Sequence, residues 1–486
     1  MKAGMLSGIG AAVVLMQMAV PAAAAPLDAG QRAEMLKLVN AQEPGIASDA
    51  LAIWKLAEVG FKEVKSSALL QDRLKKNGFT VKPGVAGMPT AFVASFRNGT
   101  GPVIGILAEY DALPGLEQDA VPVRRETPGK DAAHGCGHNL FGAASVGAAI
   151  ALKQWMIEKG VKGEIRVFGA PAEEGGSGKV YLVREGLFND VDTVLHWHPA
   201  DRNMVTDAPS QANISGKFRF HGISAHAAAS PDRGRSALDA VQIMDTAVEY
   251  LREHIPDMTR IHYVITSGGK APNVVPDFAE VYYYVRHTDP QIVRDVWARV
   301  EKAAEGAAIA TGTTTDHEVT GGVYSLLVNH TLLDVAERNF RAVPIAPWNA
   351  EQTAFATELA KSLPRPGPLT PVPIEKRKGP QSAGGSTDVS DVSWTVPTVG
   401  FGTTTWVPGS AAHSWQSAAA SGTSLGVAGA QVAANVLALT GAELLQSPDV
   451  IAAAKAELQQ ARGKDFVYAP LLGNRKPALN YRDNPS

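Results

Sequence analysis

The chain contains a single cysteine, Cys136, which stands two residues before His138 in a glycine-rich stretch. In an extended segment, side chains two residues apart leave the same face, so this thiolate and imidazole could bind one metal ion. A helix-forming run begins at Leu140, which makes Asn139 a predicted N-cap and places both groups at a helix N-terminus. The alternative interpretation is a buried cysteine that acts as a small hydrophobic residue, with the histidine as a polar surface group.

Two adjacent carboxylates, Glu173 and Glu174, follow a predicted apolar strand at 164–170 and precede two glycines. The charge does not continue into the residues beside them, which is atypical of a solvated charged surface. Because adjacent side chains diverge, one carboxylate could bind a metal ion while the other removes a proton from a water molecule. The pair therefore indicates hydrolytic chemistry at a strand end.

Other polar groups also lie where predicted strands end. Asp111 follows the apolar strand 103–108, and His196 and His198 follow the strand 191–195. In open α/β sheets, sites form at the carboxyl ends of the strands. Asp111 could orient a metal ligand or lie in a simple turn, and either histidine could be a hydrogen-bonded core residue, since the strand register could bury only one of them.

The elements that must position these groups predict an α/β protein with two domains. From Gln211 onward the pattern changes to strand, helix, two strands, helix and strand, which suits an antiparallel sheet with helices on one face. We therefore predict a smaller α+β domain at 210–325, inserted between two parts of a catalytic domain at 26–209 and 326–486. Within the insert, His226 lies in a loop, where a functional hydrogen-bond donor and an ordinary turn histidine fit equally well.

The segment 1–25 differs from the rest of the chain. A positive charge at Lys2, an apolar run at 6–20 and an Ala-Ala-Ala sequence before Pro26 predict a cleaved bacterial signal peptide at 1–25, hence export to the periplasm or medium. A retained membrane anchor is the weaker alternative because polar and proline residues interrupt a short run, so we expect no stable membrane insertion. The formal net charge of −3 excludes a strongly basic nucleic-acid-binding protein. Six prolines in 363–380 predict an extended excursion or flap.

Five short motifs occur in a fixed order along the chain. They are His-x-Cys-Gly-His (134–138), Pro-Ala-Glu-Glu-Gly-Gly (171–176), Trp-His-Pro (197–199), Gly-Ile-Ser-Ala-His-Ala (222–227) and Ala-His-Ser (412–414). This set resembles the zinc-peptidase-like amidohydrolases, which include aminoacylases and glutamate carboxypeptidases. Within them the chain is most similar to the branch of auxin-conjugate amidohydrolases and the B subunit of p-aminobenzoyl-glutamate hydrolase, which is marked by a cysteine ligand.

The resemblance implies a mixed-sheet, di-metal catalytic domain with an inserted lid and dimerisation domain. It implies two divalent ions, manganese or zinc, with Glu173 as the general base. The ligands that it implies, with the cysteine able to bridge, are Cys136, His138, Glu174, His198 and His413. Two positions depart from the pattern. Asn139 replaces an aspartate of the auxin branch, and Glu109-Tyr110-Asp111 replaces a His-x-Asp, so Asp111 is at most an orienting group.

The function implied is hydrolysis of the amide bond in N-acyl or N-aroyl amino acids, such as p-aminobenzoyl-glutamate or an aroyl-phenylalanine. In the resembled family the inserted domain dimerises, so His226 would donate to the oxyanion in a partner's site. The insert also offers Asn273 and Arg286 as anchors for the substrate carboxylate, although Arg286 could equally form a surface ion pair with Asp289. Four tryptophans flank the motifs and would suit a flat acyl group, although any of them could be a core residue: Trp197, Trp394, Trp406 and Trp415.

Other functions are also compatible with these residues. The chain could be an exported binding module without catalysis, although Glu173 argues against this because metal binding alone does not need a second carboxylate. It could be a general di-metal carboxypeptidase or dipeptidase, or a cysteine hydrolase built on Cys136 and a histidine. The expected assembly is a homodimer or a hetero-oligomer with a related subunit.

Overall fold

The computed structural model describes residues 26–377, 379 and 385–483, so the predicted signal peptide lies outside the described residues. The strands, numbered in chain order, are β1 Thr80–Pro83, β2 Phe92–Asn98, β3 Val103–Ala108, β4 Leu113–Pro114, β5 Ala132–Ala133, β6 Gly163–Gly169, β7 Thr193–Ala200, β8 Met204–Val205, β9 Ala212–His221, β10 Arg260–Ser267, β11 Phe278–His287, β12 Thr314–Val323 and β13 Thr398–Thr404.

The helices are α1 Ala29–Asn40, α2 Glu43–Leu56, α3 Val64–Lys76, α4 His138–Lys159, α5 Glu173–Gly176, α6 Gly178–Arg184, α7 Ala237–Leu251, α8 Pro290–Thr311, α9 His330–Ala342, α10 Ala350–Ala360, α11 Val389–Ser393, α12 Trp415–Ser421, α13 Ser424–Leu445 and α14 Pro448–Arg462.

A seven-stranded mixed sheet forms the centre of the larger domain, in the order β1-β2-β6-β3-β7-β13-β8. The four inner strands from β6 to β13 run parallel, and the strands on either side of them are antiparallel. Every residue of β3 is buried, which explains its uninterrupted apolar sequence. The predicted mixed sheet is confirmed, and its parallel strands bring their carboxyl ends to one edge.

Two long helices rich in alanine and glycine, α4 and α13, pack against each other and against this sheet. Small side chains let their backbones approach closely, and most residues of both helices are buried. Both are long and apolar enough to cross a membrane by length and composition, yet 83% of the most apolar window of each is buried inside the protein. Their hydrophobicity is therefore explained by their place in the core.

A second, antiparallel sheet is inserted after β8, with the strand order β10-β11-β9-β12. Helices α7 and α8 pack against each other and the sheet, and their apolar faces form a hydrophobic core separate from that of the larger domain. Amphipathic patterning explains this arrangement, since the buried residues of α7 recur at helical spacing, as in Val241, Met244 and Val248. The fold thus comprises a mixed-sheet domain with a smaller inserted α+β domain, as the sequence predicted.

The proline-rich stretch at 363–380 contains no helix or strand among its described residues. It follows the surface of the larger domain, where the carbonyl of Val372 accepts a hydrogen bond from Asn203 Nδ2 at 2.6 Å and the Gly367 N–H donates to the Pro408 carbonyl at 2.8 Å. The stretch is irregular, with bends at 364–365 and 369–370. Its role as a flap stays a prediction.

Candidate active site

The loop before α4 presents Cys136 and His138, but it is not extended. Gly137 has φ +73°, a left-handed conformation that turns the chain so that His138 becomes the first residue of the helix. A side chain at Gly137 would also collide with the ring of Pro199, whose Cβ would lie 2.7 Å away. The predicted N-cap at Asn139 is therefore wrong, because the glycine turn starts the helix two residues earlier.

Asn139 instead ties three helices together from a fully buried position. Its amide nitrogen donates to the carbonyls of Ala50 in α2, at 3.1 Å, and Ser421 in α12, at 2.9 Å. An aspartate could not donate either bond. The asparagine at this position is therefore explained by its hydrogen bonds to neighbouring helices. The carboxylate that contacts His138 comes from the segment after β3.

That carboxylate is Asp111, which follows β3. Its Oδ1 accepts a hydrogen bond from His138 Nδ1 at 2.8 Å, and its Oδ2 accepts the Glu174 N–H at 2.9 Å. Because Nδ1 donates this bond, Nε2 is the nitrogen of His138 that faces the other ligand residues. The structure therefore places Asp111 as the orienting residue.

His198 lies on β7, and its Nε2 is 3.4 Å from the Cys136 sulfur. The His198 Nδ1 is 2.7 Å from the Pro199 carbonyl, which only an N–H can satisfy, and burial lowers the pKa of His198, so Nε2 of the neutral ring presents a lone pair. The neighbouring His196 is buried against Gly400 of β13 and is not part of this group. His134 is likewise separate, because its Nε2 lies 3.1 Å from the Ile53 carbonyl.

The turn at Glu173 and Glu174 follows β6 and faces His413. The residue before it, Ala172, has φ +57°, and Gly175 has φ +85°, so the turn is sharply bent. His413 also has a positive φ of 58°, and its N–H donates to the Gly135 carbonyl at 2.9 Å, which ties its loop to that of the cysteine. His413 Nε2 lies 3.2 Å from Glu174 Oε1.

The five sequence-predicted ligands form two groups of three that share the cysteine. Cys136, His138 and His198 make one group, and Cys136, Glu174 and His413 make the other; within each, the ligand atoms lie within 4.8 Å of one another. A sulfur common to both groups can bridge two ions. The structure therefore brings together the predicted ligand set from four separate segments of chain.

The chemistry of these atoms fits divalent metal ions. His138 Nε2 and Glu174 Oε1 are buried and form no hydrogen bond of good geometry among the described residues, a costly state that a cation would relieve. Burial raises the pKa of the Cys136 thiol far above its usual range, so a thiolate at this position requires a neighbouring cation. Sulfur, imidazole and carboxylate donors together suit zinc or manganese.

Glu173 lies beside this cluster without belonging to either group that contains the cysteine. One of its carboxylate oxygens lies within 4.8 Å of ligand atoms of His138 and Glu174. Burial raises the pKa of Glu173 well above its usual range, and the carboxylates of Glu174 and Glu109 act in the same direction. A carboxyl group in these surroundings can accept and return a proton.

A buried ion network next to the cluster was missed by sequence reasoning. Lys179 of α6 is fully buried, and its Nζ lies 2.6 Å from both Glu109 Oε1 and Asp388 Oδ1. The other oxygen of Glu109 lies 3.1 Å from His138 Nε2 and has no hydrogen-bond partner among the described residues. The signal available in the sequence was Glu109, a charged residue at the end of the apolar strand β3, but Lys179 and Asp388 are distant from it in the sequence.

A cavity of about 500 Å³ separates the cluster from the inserted sheet. Its lining includes Glu173 and His413 from the larger domain, and Ser215, Tyr284 and Arg286 from the insert. The Nε of Arg286 is buried and has no hydrogen-bond partner, and within the described residues this side chain forms no ion pair with Asp289. The cavity is therefore lined by carboxylate, imidazole, hydroxyl and guanidinium groups.

Several predicted residues lie elsewhere. His226 and Asn273 are in neighbouring loops of the insert, joined by the Ala227 N–H and the Asn273 carbonyl at 3.0 Å, and neither lines this cavity. The four tryptophans do not line it either. Trp197 and Trp406 are buried in the core, where their indole nitrogens donate to Phe141 and Ser421, and Trp394 and Trp415 pack in other hydrophobic clusters. The packing of the tryptophans therefore agrees with the alternative that they are core residues.

A parallel-centred mixed sheet, a cluster suited to two metal ions and an inserted antiparallel lid define a class of di-metal hydrolase. Comparison with known families makes this specific, since residues 105–438 match the model of peptidase family M20/M25/M40. The chain belongs to this family. It is a metal-dependent hydrolase that acts on amide bonds.

Individual relatives agree with this assignment. The chain is 38% identical over 455 residues to the B subunit of p-aminobenzoyl-glutamate hydrolase from Escherichia coli, covering 88% of this chain and 94% of the relative. It is 31% identical over 324 residues to the Xaa-Arg dipeptidase of Mus musculus, covering 63% and 71%. A dinuclear metal-binding M20 peptidase from Bacillus subtilis superposes with a TM-score of 0.55 at 20% identity, covering 82% and 98%, and so shares the fold.

Proposed function

We propose that the protein hydrolyses the amide bond of N-acyl or N-aroyl amino acids with two divalent ions, manganese or zinc. The observation that carries this proposal is the pair of ligand groups that share Cys136, with Glu173 beside them at the wall of the cavity. The ligands are the five residues described above. The name of the bacterial relative, which acts on an aroyl amino acid, supports the substrate class.

Each part of the site has a separate task in this reaction. The two ions, when bound, supply Lewis-acid activation of the attacking water and of the amide carbonyl. A carboxylate oxygen of Glu173 takes the proton of the water and returns it to the nitrogen of the leaving amine. Asp111 keeps the proton of His138 on Nδ1, so that Nε2 stays available as a ligand throughout.

Arg286 is proposed as the anchor of the substrate carboxylate. Its guanidinium lies over the Tyr284 ring, 5.2 Å from the centroid, and its buried Nε is without a partner at the wall of the cavity. A half-buried cation that forms no ion pair among the described residues and lies next to a polar cavity is suited to a carboxylate such as that of an amino acid. Tyr284 offers an aromatic surface for a flat group in place of the tryptophans, which pack in the hydrophobic clusters.

The test compares p-aminobenzoyl-glutamate with the same compound carrying an amidated α-carboxylate, in the presence of added manganese or zinc. We expect kcat/KM to fall about 10- to 100-fold for the amide, because Arg286 would face an uncharged group at a cost of roughly 1–3 kcal/mol. Arg286→Met should remove most of this preference. Arg260→Met, on the exposed neighbouring position of β10 that pairs with Arg286, is the matched control and should preserve it.

Other outcomes would favour the alternative functions. Equal rates on acid and amide, or efficient cleavage of dipeptides, would indicate a general dipeptidase, in keeping with the name of the mouse relative. Activity that survives chelation and is lost on alkylation of Cys136 would indicate a cysteine hydrolase. Binding of acyl amino acids without turnover under any metal would indicate a non-catalytic module.

We further propose that the active assembly contains at least two chains, with His226 and Asn273 serving a partner's site. The Nδ1 of His226 accepts the N–H groups of Ala228 and Ala229 at 3.2 and 3.1 Å, which leaves the ring proton on Nε2 as an outward hydrogen-bond donor. Strand β10 is at the edge of its sheet with Val264 56% exposed, a surface suited to pairing with a second copy. The bacterial relative is named as a subunit, which supports a related chain as another partner.

Export is proposed from the segment 1–25 alone. The protein, expressed with its own leader in a Gram-negative host, should be recovered from the periplasm with a first residue near Pro26, as determined by N-terminal sequencing. Full-length protein that stays in the cytoplasm would contradict export.

A further inference from the structure

The segment that follows α14, residues 463–483, lies beyond the region matched by the family model and contacts both domains. Leu471 is buried in the core of the insert and Leu472 in the core of the larger domain. Arg475 Nη1 then donates to the Val319 carbonyl of β12 at 2.6 Å, and the Arg475 carbonyl accepts from Arg184 of α6 at 2.7 Å. The segment is therefore fixed along its length before it reaches the metal-binding cluster.

At its far end the segment contacts the turn that carries the two glutamates. The hydroxyl of Tyr481 donates to the carbonyl oxygen of Glu174 at 2.8 Å, and Arg482 Nη2 donates to the same oxygen at 2.5 Å. Both donors are held by aromatic packing. The Tyr481 ring meets Phe61 edge to face with centroids 5.7 Å apart, and the Arg482 guanidinium lies 4.6 Å from the centre of the Tyr481 ring.

The turn has a helical hydrogen bond from the Gly176 N–H to the Ala172 carbonyl, at 3.0 Å, but its backbone is not helical at Glu174 and Gly175. Glu174 has ψ +74° and Gly175 has φ +85°, which are not helical values. The carbonyl of Glu174, whose side chain is the predicted ligand, therefore does not point along the helix axis. The Glu174 N–H is already held by Asp111. With the two donors on its carbonyl, the peptide groups on both sides of Glu174 are fixed, and the direction of its side chain is fixed with them.

We propose that Tyr481 and Arg482 are positioning residues that hold the Glu173–Glu174 turn in the geometry needed to bind metal and transfer a proton. They act through the Glu174 carbonyl, and neither residue lines the cavity or belongs to the groups of ligand residues. The proposal rests on the assignment of Glu174 as a metal ligand. It gives the segment 463–483 a role in the active site.

The test uses the full chain with Tyr481→Phe and Arg482→Ala combined, which removes both donors while the ring on Phe61 remains. Metal-free protein is titrated with Zn²⁺ or Mn²⁺ in competition with a chromogenic chelator. We expect the affinity for metal to fall roughly 10- to 100-fold, the range typical for loss of groups that orient ligands. With p-aminobenzoyl-glutamate at saturating metal, kcat should fall while KM stays close to the parent value, because the substrate anchor is unchanged.

The matched control is Lys62→Ala. Lys62 forms an exposed ion pair with Asp483 at 2.8 Å, so this variant disturbs the same end of the segment without touching the Glu174 carbonyl. It should bind metal like the parent. Arg482→Lys, which keeps a cationic donor, should restore part of the affinity lost in Arg482→Ala.

Two results would overturn the proposal. One is parental metal affinity in the folded double variant, and the other is an equal loss of affinity in Lys62→Ala, which would show that only general docking of the segment matters. If the double variant fails to fold, the single variants Tyr481→Phe and Arg482→Ala decide by the same titration. Glu174→Ala serves as the reference. Unchanged metal binding in that variant would refute the ligand assignment on which the proposal rests, whereas loss of metal in Glu174→Ala with parental affinity in the double variant would refute only the role of the segment.

Discussion

At the scale of single residues, Asp111 organises the ligand set through its two carboxylate oxygens. One oxygen fixes the His138 ring and the other holds the Glu174 N–H, so one buried side chain aligns ligands from two loops. Neighbouring residues also shift the pKa values of the two glutamates in opposite directions. Burial alone would raise the pKa of Glu174, but His413 and His138 lower it, whereas the pKa of Glu173 is raised. Opposite shifts in adjacent carboxyl groups suit a ligand beside a proton carrier.

This division of tasks predicts different defects in two variants. Glu173→Gln should keep the parental metal content and lose turnover about 10²–10⁴-fold, the usual range for loss of a general base. Glu174→Ala should lose metal, because one of the two ligand groups would retain only two donors. Metal content by plasma mass spectrometry and kcat on an aroyl amino acid measure both effects. Glu158→Gln, an exposed position in α4, is the control. Identical behaviour of the two variants in both assays would refute the assignment.

At the scale of elements, the sheets divide the work between rigid support and access. The parallel strands β3, β6 and β7 deliver Asp111, the glutamate pair and His198 to one edge, which places ligands distant in sequence within one cluster. The inserted sheet supplies the opposite wall of the cavity through β9, β11 and β12. The loop that carries His226 belongs to the same insert but lies outside that cavity, which is the basis for a site shared between chains.

Shared sites predict complementation between inactive chains. His226→Ala and Glu173→Gln homodimers should each be inactive, and a mixture that has exchanged subunits should recover activity at the site that combines an intact Glu173 with an intact His226. Mixed chains carrying Glu173→Gln and Glu174→Ala are the control. They should show no recovery, because both changes damage the same half of the site. Subunit exchange is followed by native mass spectrometry, and proven exchange without recovered activity would place His226 within its own chain's site.

At the scale of the whole molecule, the junction of the two domains contains a buried carboxyl group, Asp391 of α11. It accepts hydrogen bonds from the Tyr468 hydroxyl at 2.8 Å and from the Tyr324 N–H, next to β12, at 3.0 Å. Burial raises the pKa of Asp391 to about 7, against an ordinary value of 3.8. The larger domain, the insert and the segment 463–483 therefore meet at a group that titrates differently in the folded and unfolded chains.

This shift predicts a pH dependence of stability. Between about pH 4 and pH 7 the folded chain keeps a proton on Asp391 that the unfolded chain has released, so the contribution of Asp391 to the free energy of unfolding falls as the pH rises. In Asp391→Asn this contribution is removed. The difference in free energy of unfolding between variant and parent, measured by urea unfolding, should therefore shift in favour of the variant by on the order of 2 kcal/mol from pH 5 to pH 7.

Asp449→Asn, at an exposed position of α14, makes the same change in formal charge and is the control for that experiment. In this control, the change in free energy of unfolding from pH 5 to pH 7 should equal that of the parent. An unchanged pH dependence in Asp391→Asn would show that another group dominates the titration of the folded chain.

The sequence by itself determined the fold class and the composition of the cluster. Strand periodicity predicted the buried strands and the inserted α+β domain, because alternating and wholly apolar strands are local patterns, and the family resemblance implied the mixed sheet. The ordered motifs identified the ligand residues and the adjacent glutamates, because metal binding requires particular residue types and some of these lie close together in the sequence. All five predicted ligands lie in the two groups around Cys136.

Only the tertiary structure decided how these residues are held. The left-handed turn at Gly137 replaced the expected extended segment, and Lys179 joined Glu109 to Asp388, although the two carboxylates are far apart in the sequence. The tryptophans are packed in the hydrophobic clusters, and Tyr481, from a segment distant in sequence, donates a hydrogen bond to the Glu174 carbonyl. Such contacts depend on which surfaces meet after folding. Local sequence patterns specify an element and its buried face, but they do not specify which distant side chain completes its hydrogen bonds.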